Sequence, residues 1–210
     1  MEANGGQVPK KKSFWRRTNR GFWVSMALLL IVVIYVVVSQ LMLVAQRPDI
    51  RGLAEKVNTL WNDATLLTDE EAAALAESPE KQEALKAQIK TGLQDLFCAN
   101  SDYLDAGVDL VYSAVENSFN GLCRIETRKE VSEPAEEKWN ILEDTATFSR
   151  VFVYEVKGEL STYTAEPGEK TLESLEDDRE IAVLSLICKK ENNQWKIFRL
   201  SELYSYIQEI

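Results

Sequence analysis

The chain has 210 residues and a formal net charge of −10, with no histidine and only three cysteines. The absence of histidine excludes Ser-His and Cys-His catalysis and removes the commonest transition-metal ligand. Cys98, Cys123 and Cys188 form no C-x-x-C pair, so their spacing does not indicate a zinc site. We therefore expect no catalytic residues, no metal and no cofactor.

The N-terminal residues 1–21 are basic, and the 24 residues from Phe22 to Ala45 carry no charge. A bilayer core about 30 Å thick needs about 20 apolar helical residues, whereas a secretory signal has an apolar region of only about 7–15. The sequence therefore predicts a transmembrane helix over residues 22–45. Positive flanks stay in the cytoplasm, so residues 1–21 become a cytoplasmic tail and the rest of the chain lies outside the cell membrane.

A second interpretation of the same stretch depends on Arg20-Gly21-Phe22. Placed before a long apolar helix, this tripeptide resembles the start of a type IV pilin or pseudopilin, in which a peptidase cuts after the glycine. That family has glutamate at the fifth mature position, where this chain has Met26. The resemblance implies, as an alternative, a pseudopilin-like subunit cleaved after Gly21.

The segment after residue 46 is acidic, with 18 basic residues against 33 acidic ones and a net charge of −15. It is long enough to form one domain with its own core. Such a surface repels nucleic acid, so we expect no nucleic-acid partner. Outside the cell, a disulfide among the three cysteines and their burial as small apolar side chains are both compatible with the sequence.

Residues 46–78 are predicted to form a juxtamembrane helical linker. Its apolar residues are spaced alternately three and four apart, at Ile50, Leu53, Val57, Leu60, Ala64 and Leu67. Such a stripe either docks the helix on its own domain or forms a short coiled-coil seam with a second copy, which would make the protein a homodimer. Thr68 and Glu71 have the spacing of a capping box, which predicts a new helix from about residue 69.

Residues 79–210 are predicted to form the extracytoplasmic domain. Ser78 and Pro79 suit the start of a helix, and apolar spacing predicts helices over about 79–98 and 102–119. After Gly121 the period changes to two, which indicates strands. Helices followed by strands indicate an α+β fold, with the helices packed on a curved, mostly antiparallel sheet.

The final strands are predicted to form a hairpin. Ile181–Lys190 is apolar on both faces, as a central strand is, and Asn192-Asn193 suits a two-residue turn. This turn places Cys188 opposite Ile197 and Lys190 opposite Trp195. Before the hairpin, residues 165–178 are predicted to be an acidic loop, and after it residues 202–208 are predicted to be a short helix.

The paired helices and the closing hairpin, with its Asn-Asn-Gln-Trp-Lys-Ile segment, resemble the nuclear-transport-factor-two-like superfamily, which has the cystatin-like cone fold. A single membrane anchor bearing such a domain resembles the assembly subunits of conjugation and type IV secretion machines. The resemblance implies a bacterial, non-catalytic scaffold that binds other membrane or envelope proteins. The sequence does not indicate which machine, partner or ligand is involved.

Some members of that superfamily use the interior of the cone as a pocket. Arg150 and Tyr154 share a strand face with Phe148 and Phe152, so they are the candidate polar residues of such a pocket. This implies an alternative function as an extracytoplasmic small-ligand-binding or hydrolytic domain. In the other interpretation, Arg150 lies at the edge of the sheet with its stem packed and its charged head in water.

Overall fold

The structure, a computed structural model, describes residues 20–120, 123–131, 136–163 and 170–208. The chain divides into two compact units, Met1–Ala45 and Gln46–Ile210. Helix α1, Arg20–Val44, lies in the first unit and is long and apolar enough to cross a membrane. Of the predicted tail, residues 1–19 lie outside the described residues.

The second unit begins with helices whose starts were readable from the sequence. Thr68 accepts a hydrogen bond from the Glu71 amide while the Glu71 carboxylate accepts one from the Thr68 amide, which confirms the capping box. Ser78 caps the following helix, and Pro79 is its first residue. The helices are α2 (Arg47–Thr65), α3 (Asp69–Glu77), α4 (Pro79–Gln94) and α5 (Leu104–Phe119).

All the described strands form one antiparallel sheet in the order β1-β3-β4-β5, and β2 also pairs with β3. They are β1 (Cys123–Glu130), β2 (Glu137–Ile141), β3 (Thr145–Tyr163), β4 (Lys170–Glu191) and β5 (Gln194–Gln208). β1 pairs with the second half of β3 and β2 with the first half. Helices that precede an antiparallel sheet confirm the predicted α+β class.

The core lies between the helices and one face of this sheet. Alternate residues of β3 and β4, such as Phe148, Phe152 and Leu184, point to that face and are at most 2% exposed. Val57 of α2 and Val111 of α5 are fully buried in the same core. The opposite face of the sheet carries the residues between these positions.

The closing hairpin has the predicted geometry. Asn192 and Asn193 have φ angles of 50° and 63°, in the left-handed region that asparagine tolerates. This turn pairs Lys190 with Trp195 and Cys188 with Ile197, as the sequence predicted.

The predicted linker over residues 46–78 differs from the structure, because the compact second unit already begins at Gln46. Ile50 and Val57 are fully buried, and Trp61 is 1% exposed. The apolar stripe of α2 packs on the inner face of the sheet and covers core side chains of the strands. A separate linker would leave those side chains exposed to water. The domain therefore starts about thirty residues earlier than the composition suggested.

The predicted acidic loop and C-terminal helix are wrong for the described residues. Residues 170–178 belong to β4, and residues 202–208 belong to β5. Leu175 and Leu203 are buried, while charged side chains occupy the positions between apolar ones. Pairing with β3 extends β4 back to Lys170, and pairing with β4 extends β5 to Gln208, so backbone pairing overrides the local composition in both segments.

Trp195 is a buried residue of the hairpin, only 6% exposed. We expect Trp195→Ala to lower the free energy of unfolding by about 3–5 kcal/mol, because it removes a large side chain from a packed core. Chemical denaturation of the full chain in detergent measures the change. The control is Leu142→Ala, at a side chain that is 61% exposed, which should change stability by less than about 0.5 kcal/mol. Equal effects of the two substitutions would contradict this account of the hairpin.

Candidate functional site

A buried ion pair lies where α2 crosses the inner face of the sheet. Arg128 of β1 donates from Nε to Oε2 of Glu180, at 2.5 Å, and from Nη2 to Oε1, at 3.0 Å. Each side chain is only 3% exposed. The paired, parallel geometry is the strongest way for a carboxylate to compensate a guanidinium.

Helix α2 completes the environment of Arg128. The Nη1 atom donates to Oδ1 of Asn62 and to Oγ1 of Thr65, both at 2.9 Å. The guanidinium carbon lies 4.3 Å from the centroid of the Trp61 ring, within the range of a cation–π interaction. The pair therefore joins β1, β4 and α2 in one network.

Tyr154, one of the two predicted pocket residues, belongs to this network. Its hydroxyl lies 2.6 Å from Nδ2 and 2.9 Å from Oδ1 of Asn58, and Asn62 donates to it at 3.3 Å. Burial raises the pKa of Tyr154, and the asparagine hydrogen bonds oppose that shift. The phenol is thus a neutral group whose hydrogen bonds go to α2.

Arg150, the other predicted residue, belongs to a different cluster. Its Nη1 lies 3.2 Å from Oε1 of Glu55 and 3.8 Å from Oε1 of Glu137, and its guanidinium stacks on Phe152. The side chain is 15% exposed, and carboxylates of Glu55, Glu130 and Glu137 lie within 4 Å of its guanidinium. The structure does not bring the polar ends of Arg150 and Tyr154 into one site.

Glu137 is the centre of that second cluster. It accepts two hydrogen bonds from Arg51, at 2.9 and 2.7 Å, and one from the Trp139 indole at 3.2 Å. The hydrogen bonds from Arg51 are the largest cause that lowers the pKa of Glu137. This cluster ties the start of α2 to β2 through the salt bridge between Arg51 and Glu137.

A cavity of about 270 Å³ lies beside the buried ion pair. Arg128 and Glu180 line one side, and Asn117 of α5 and Leu203 of β5 line another. Cys123 also contributes, but burial raises the pKa of its thiol to about 11, which leaves it a poor nucleophile at neutral pH. The cavity falls just below the range of about 300–1,000 Å³ usual for ligand pockets.

A larger groove of about 730 Å³ runs between α2 and α4. The six residues of the predicted seam fall into two groups, one in the domain core and one along this groove. Ile50, Leu53 and Val57 are buried in the domain core, which supports the docked-helix interpretation for these three. The other three are partly buried and line the groove, namely Leu60, Ala64 and Leu67.

The three cysteines are free thiols in the structure. Burial raises the pKa of Cys188 to about 12. Among the described residues, no group of three or more Cys, Asp or Glu side chains is arranged to hold a metal ion.

Sequence reasoning missed Arg128 and Glu180, and a β-bulge explains the first omission. In a regular strand, alternate side chains face the same side of the sheet. The buried Ile125 would therefore predict that Thr127 faces the core and Arg128 faces solvent. The register of β1 shifts between Ile125 and Thr127, so Arg128 instead lies opposite the buried Val156. Glu180 lay at the edge of an acidic stretch, where no local signal separates it from its solvated neighbours.

The comparisons with known proteins add a fold-level observation only. No protein-family model matches the sequence, and no curated protein matches it. One structural neighbour is an NTF2-like protein with a cystatin-like fold from Novosphingobium aromaticivorans. It is 13% identical, with 78% of this chain and 84% of that chain covered and a TM-score of 0.34. A likeness at this level carries no argument about function.

We expect Glu180→Leu to destabilise the domain by about 3–5 kcal/mol, because it leaves the charge of Arg128 buried without a partner. The double variant Arg128→Met/Glu180→Leu should recover most of that loss, since no buried charge remains. Chemical denaturation of the full chain in detergent measures both. If the double variant were no more stable than Glu180→Leu, the pair would not be the coupled unit described here.

Proposed function

We propose that the protein is a membrane-anchored, non-catalytic module that holds its α+β domain outside the cell membrane and binds other membrane or envelope proteins. The observation that carries this proposal is that the inward-facing polar side chains are hydrogen-bonded to other residues of the chain. Arg128 is bound to Glu180, and Tyr154 is bound to Asn58, so these groups are occupied within the chain. They stabilise the fold and are not arranged as a reactive centre.

The anchor supports the same proposal. Helix α1 is exposed along its length within its own unit and has the composition of a membrane span. The basic residues that precede it favour a cytoplasmic N-terminus. A tethered domain with an occupied interior suits an assembly subunit of a conjugation or secretion machine, which acts through its surfaces.

The cavity beside Arg128 favours a second candidate, the binding of a small polar ligand. Ser113, Asn117 and Ser118 of α5 supply polar groups to its lining. Its volume of about 270 Å³ limits such a ligand to a few heavy-atom groups.

We expect a reporter enzyme that is active only outside the cytoplasm to be active when it is fused after Ile210. The reason is the basic flank before an uncharged run of 24 residues. Activity of a cytoplasmic reporter alone would contradict the orientation. The mass of the mature protein tests the pseudopilin alternative in the same membranes, because cleavage after Gly21 would leave Phe22 as the first residue.

We expect mild crosslinking in native membranes to recover a discrete set of membrane proteins with the full chain. A matched control that carries residues 1–45 fused to an unrelated outer domain should not recover them, because the proposed binding surfaces lie on Gln46–Ile210. Mass spectrometry of the two samples measures the difference. The same set from both samples, or none from the full chain, would contradict the proposal.

A further inference from the structure

One side of α2 lines a continuous groove, which we call the α2 groove. Its first part is the space of about 730 Å³ between α2 and α4. Its second part is a cavity of about 540 Å³ between the start of α2, the end of α4 and the turn of the closing hairpin. Gly52 and Lys56 line both parts, so the two spaces adjoin at these residues.

The α2 groove has the shape of a seat for one more helix. The lining extends along α2 from Pro48 to Ala64, which is about 24 Å at a rise of about 1.5 Å per residue. The residues of α2 between these ends recur three and four positions apart, as one face of a helix does: Gly52, Glu55, Lys56, Thr59, Leu60 and Asp63. The groove therefore has room for about four turns of a third helix.

The floor of the α2 groove is apolar. Leu60, Ala64 and Leu67 contribute from the side of α2, and Leu85 and Ile89 contribute from α4. An apolar channel between two helices accepts the apolar face of an amphipathic helix. An extended segment would fit less well, because the backbone groups of α2 and α4 are bonded within their own helices and cannot pair with a strand.

Gly52 indicates that something approaches α2 closely at this point. Glycine is, after proline, the least favourable residue in the interior of a helix. A Cβ atom at Gly92 would clash with Cδ1 of Leu60, so packing within the chain accounts for that glycine. A Cβ atom at Gly52 would have no neighbour among the described residues within 4 Å. A helix that crosses α2 at short distance would require a residue without a side chain there.

The rim of the α2 groove is acidic. The described lining residues include two lysines, Lys56 and Lys196, and five acids, namely Asp49, Glu55, Asp63, Glu71 and Asp95. Within the described part of the chain, the carboxylates of Asp49 and Asp63 have no hydrogen bond or ion pair. Basic side chains of a partner would compensate these charges, and an acidic partner would be repelled.

We propose that the α2 groove binds an amphipathic helix of a partner membrane or envelope protein. The helix places an apolar stripe on the floor of the groove, a small residue against Gly52 and lysine or arginine side chains along the rim. This inference rests on the proposed function, since it names the surface and the kind of segment through which the module binds its partners.

The test uses the full chain in phosphatidylcholine nanodiscs and two fluorescein-labelled peptides of about 16 residues, the length of the groove. Both peptides have leucine along one helical face with alanine at its centre. One has lysine on both flanks of that face, and the other has glutamate. Fluorescence anisotropy measures the dissociation constants, with empty nanodiscs as the blank. We expect the lysine peptide to bind at least about tenfold more tightly than the glutamate peptide, with an affinity that falls as salt is added.

Gly52→Leu blocks the α2 groove, because the new side chain enters open space. It should weaken binding of the lysine peptide about tenfold or more, while the unfolding midpoint stays equal or rises, since leucine favours a helix. Asp63→Lys adds little bulk and tests the rim independently. It should weaken binding of the lysine peptide about threefold or more. The matched control is Asp109→Lys, an exposed acid of α5 outside the groove, which should change neither affinity.

No binding of the lysine peptide, equal affinity for the two peptides, unchanged binding by Gly52→Leu, or an equal loss with Asp109→Lys would each overturn the proposal. Wild-type dimers that Gly52→Leu dissociates, measured by mass photometry, would assign the groove to a second copy of this chain and overturn it too. On crosslinking in native membranes, Gly52→Leu should no longer recover the membrane proteins that the wild type recovers. Full recovery by that variant would leave the proposed function standing and would exclude the groove as its binding surface.

Discussion

The salt bridge between Arg128 and Glu180 is the interaction on which the arrangement of helix and sheet depends. Two charges that are 3% exposed are stable there because they compensate each other and because Asn62 and Thr65 accept hydrogen bonds from Nη1 of Arg128. These last two residues lie on α2, so the pair holds that helix at one position on the sheet.

This constraint also shapes the interior. Trp61, Tyr154 and the ion pair fill the space between α2 and the inner face of the sheet. The remaining cavity of about 270 Å³ lies next to charges that are already compensated. The interior therefore serves stability, and in our proposal the function lies with the surfaces of the domain and with its attachment to a membrane.

The long strands have a consequence for those surfaces. β3, β4 and β5 run side by side over many residues, so each inward-facing core position has an outward-facing neighbour in register. The inner face is covered by helices. The outer face retains β-branched and tyrosine side chains, with charged residues in the rows beyond them.

The sequence by itself determined the features that local physics controls. The uncharged run of α1, the capping box at Thr68, the Ser78-Pro79 helix start, the hairpin turn at Asn192-Asn193 and the α+β order were all predicted correctly, because each depends on neighbouring residues. Only the tertiary structure decided the rest. The bulge after Ile125 turned Arg128 inward, and α2 packed into the core of the domain. Pairing with β3 extended β4 through a segment that resembled a loop, and pairing with β4 extended β5 through a segment that resembled a helix. Arg128 meets Glu180 and Asn62 across 52 and 66 residues of chain, and the extended strands depend on backbone partners in other segments. No local pattern encodes which of these partners a residue will meet.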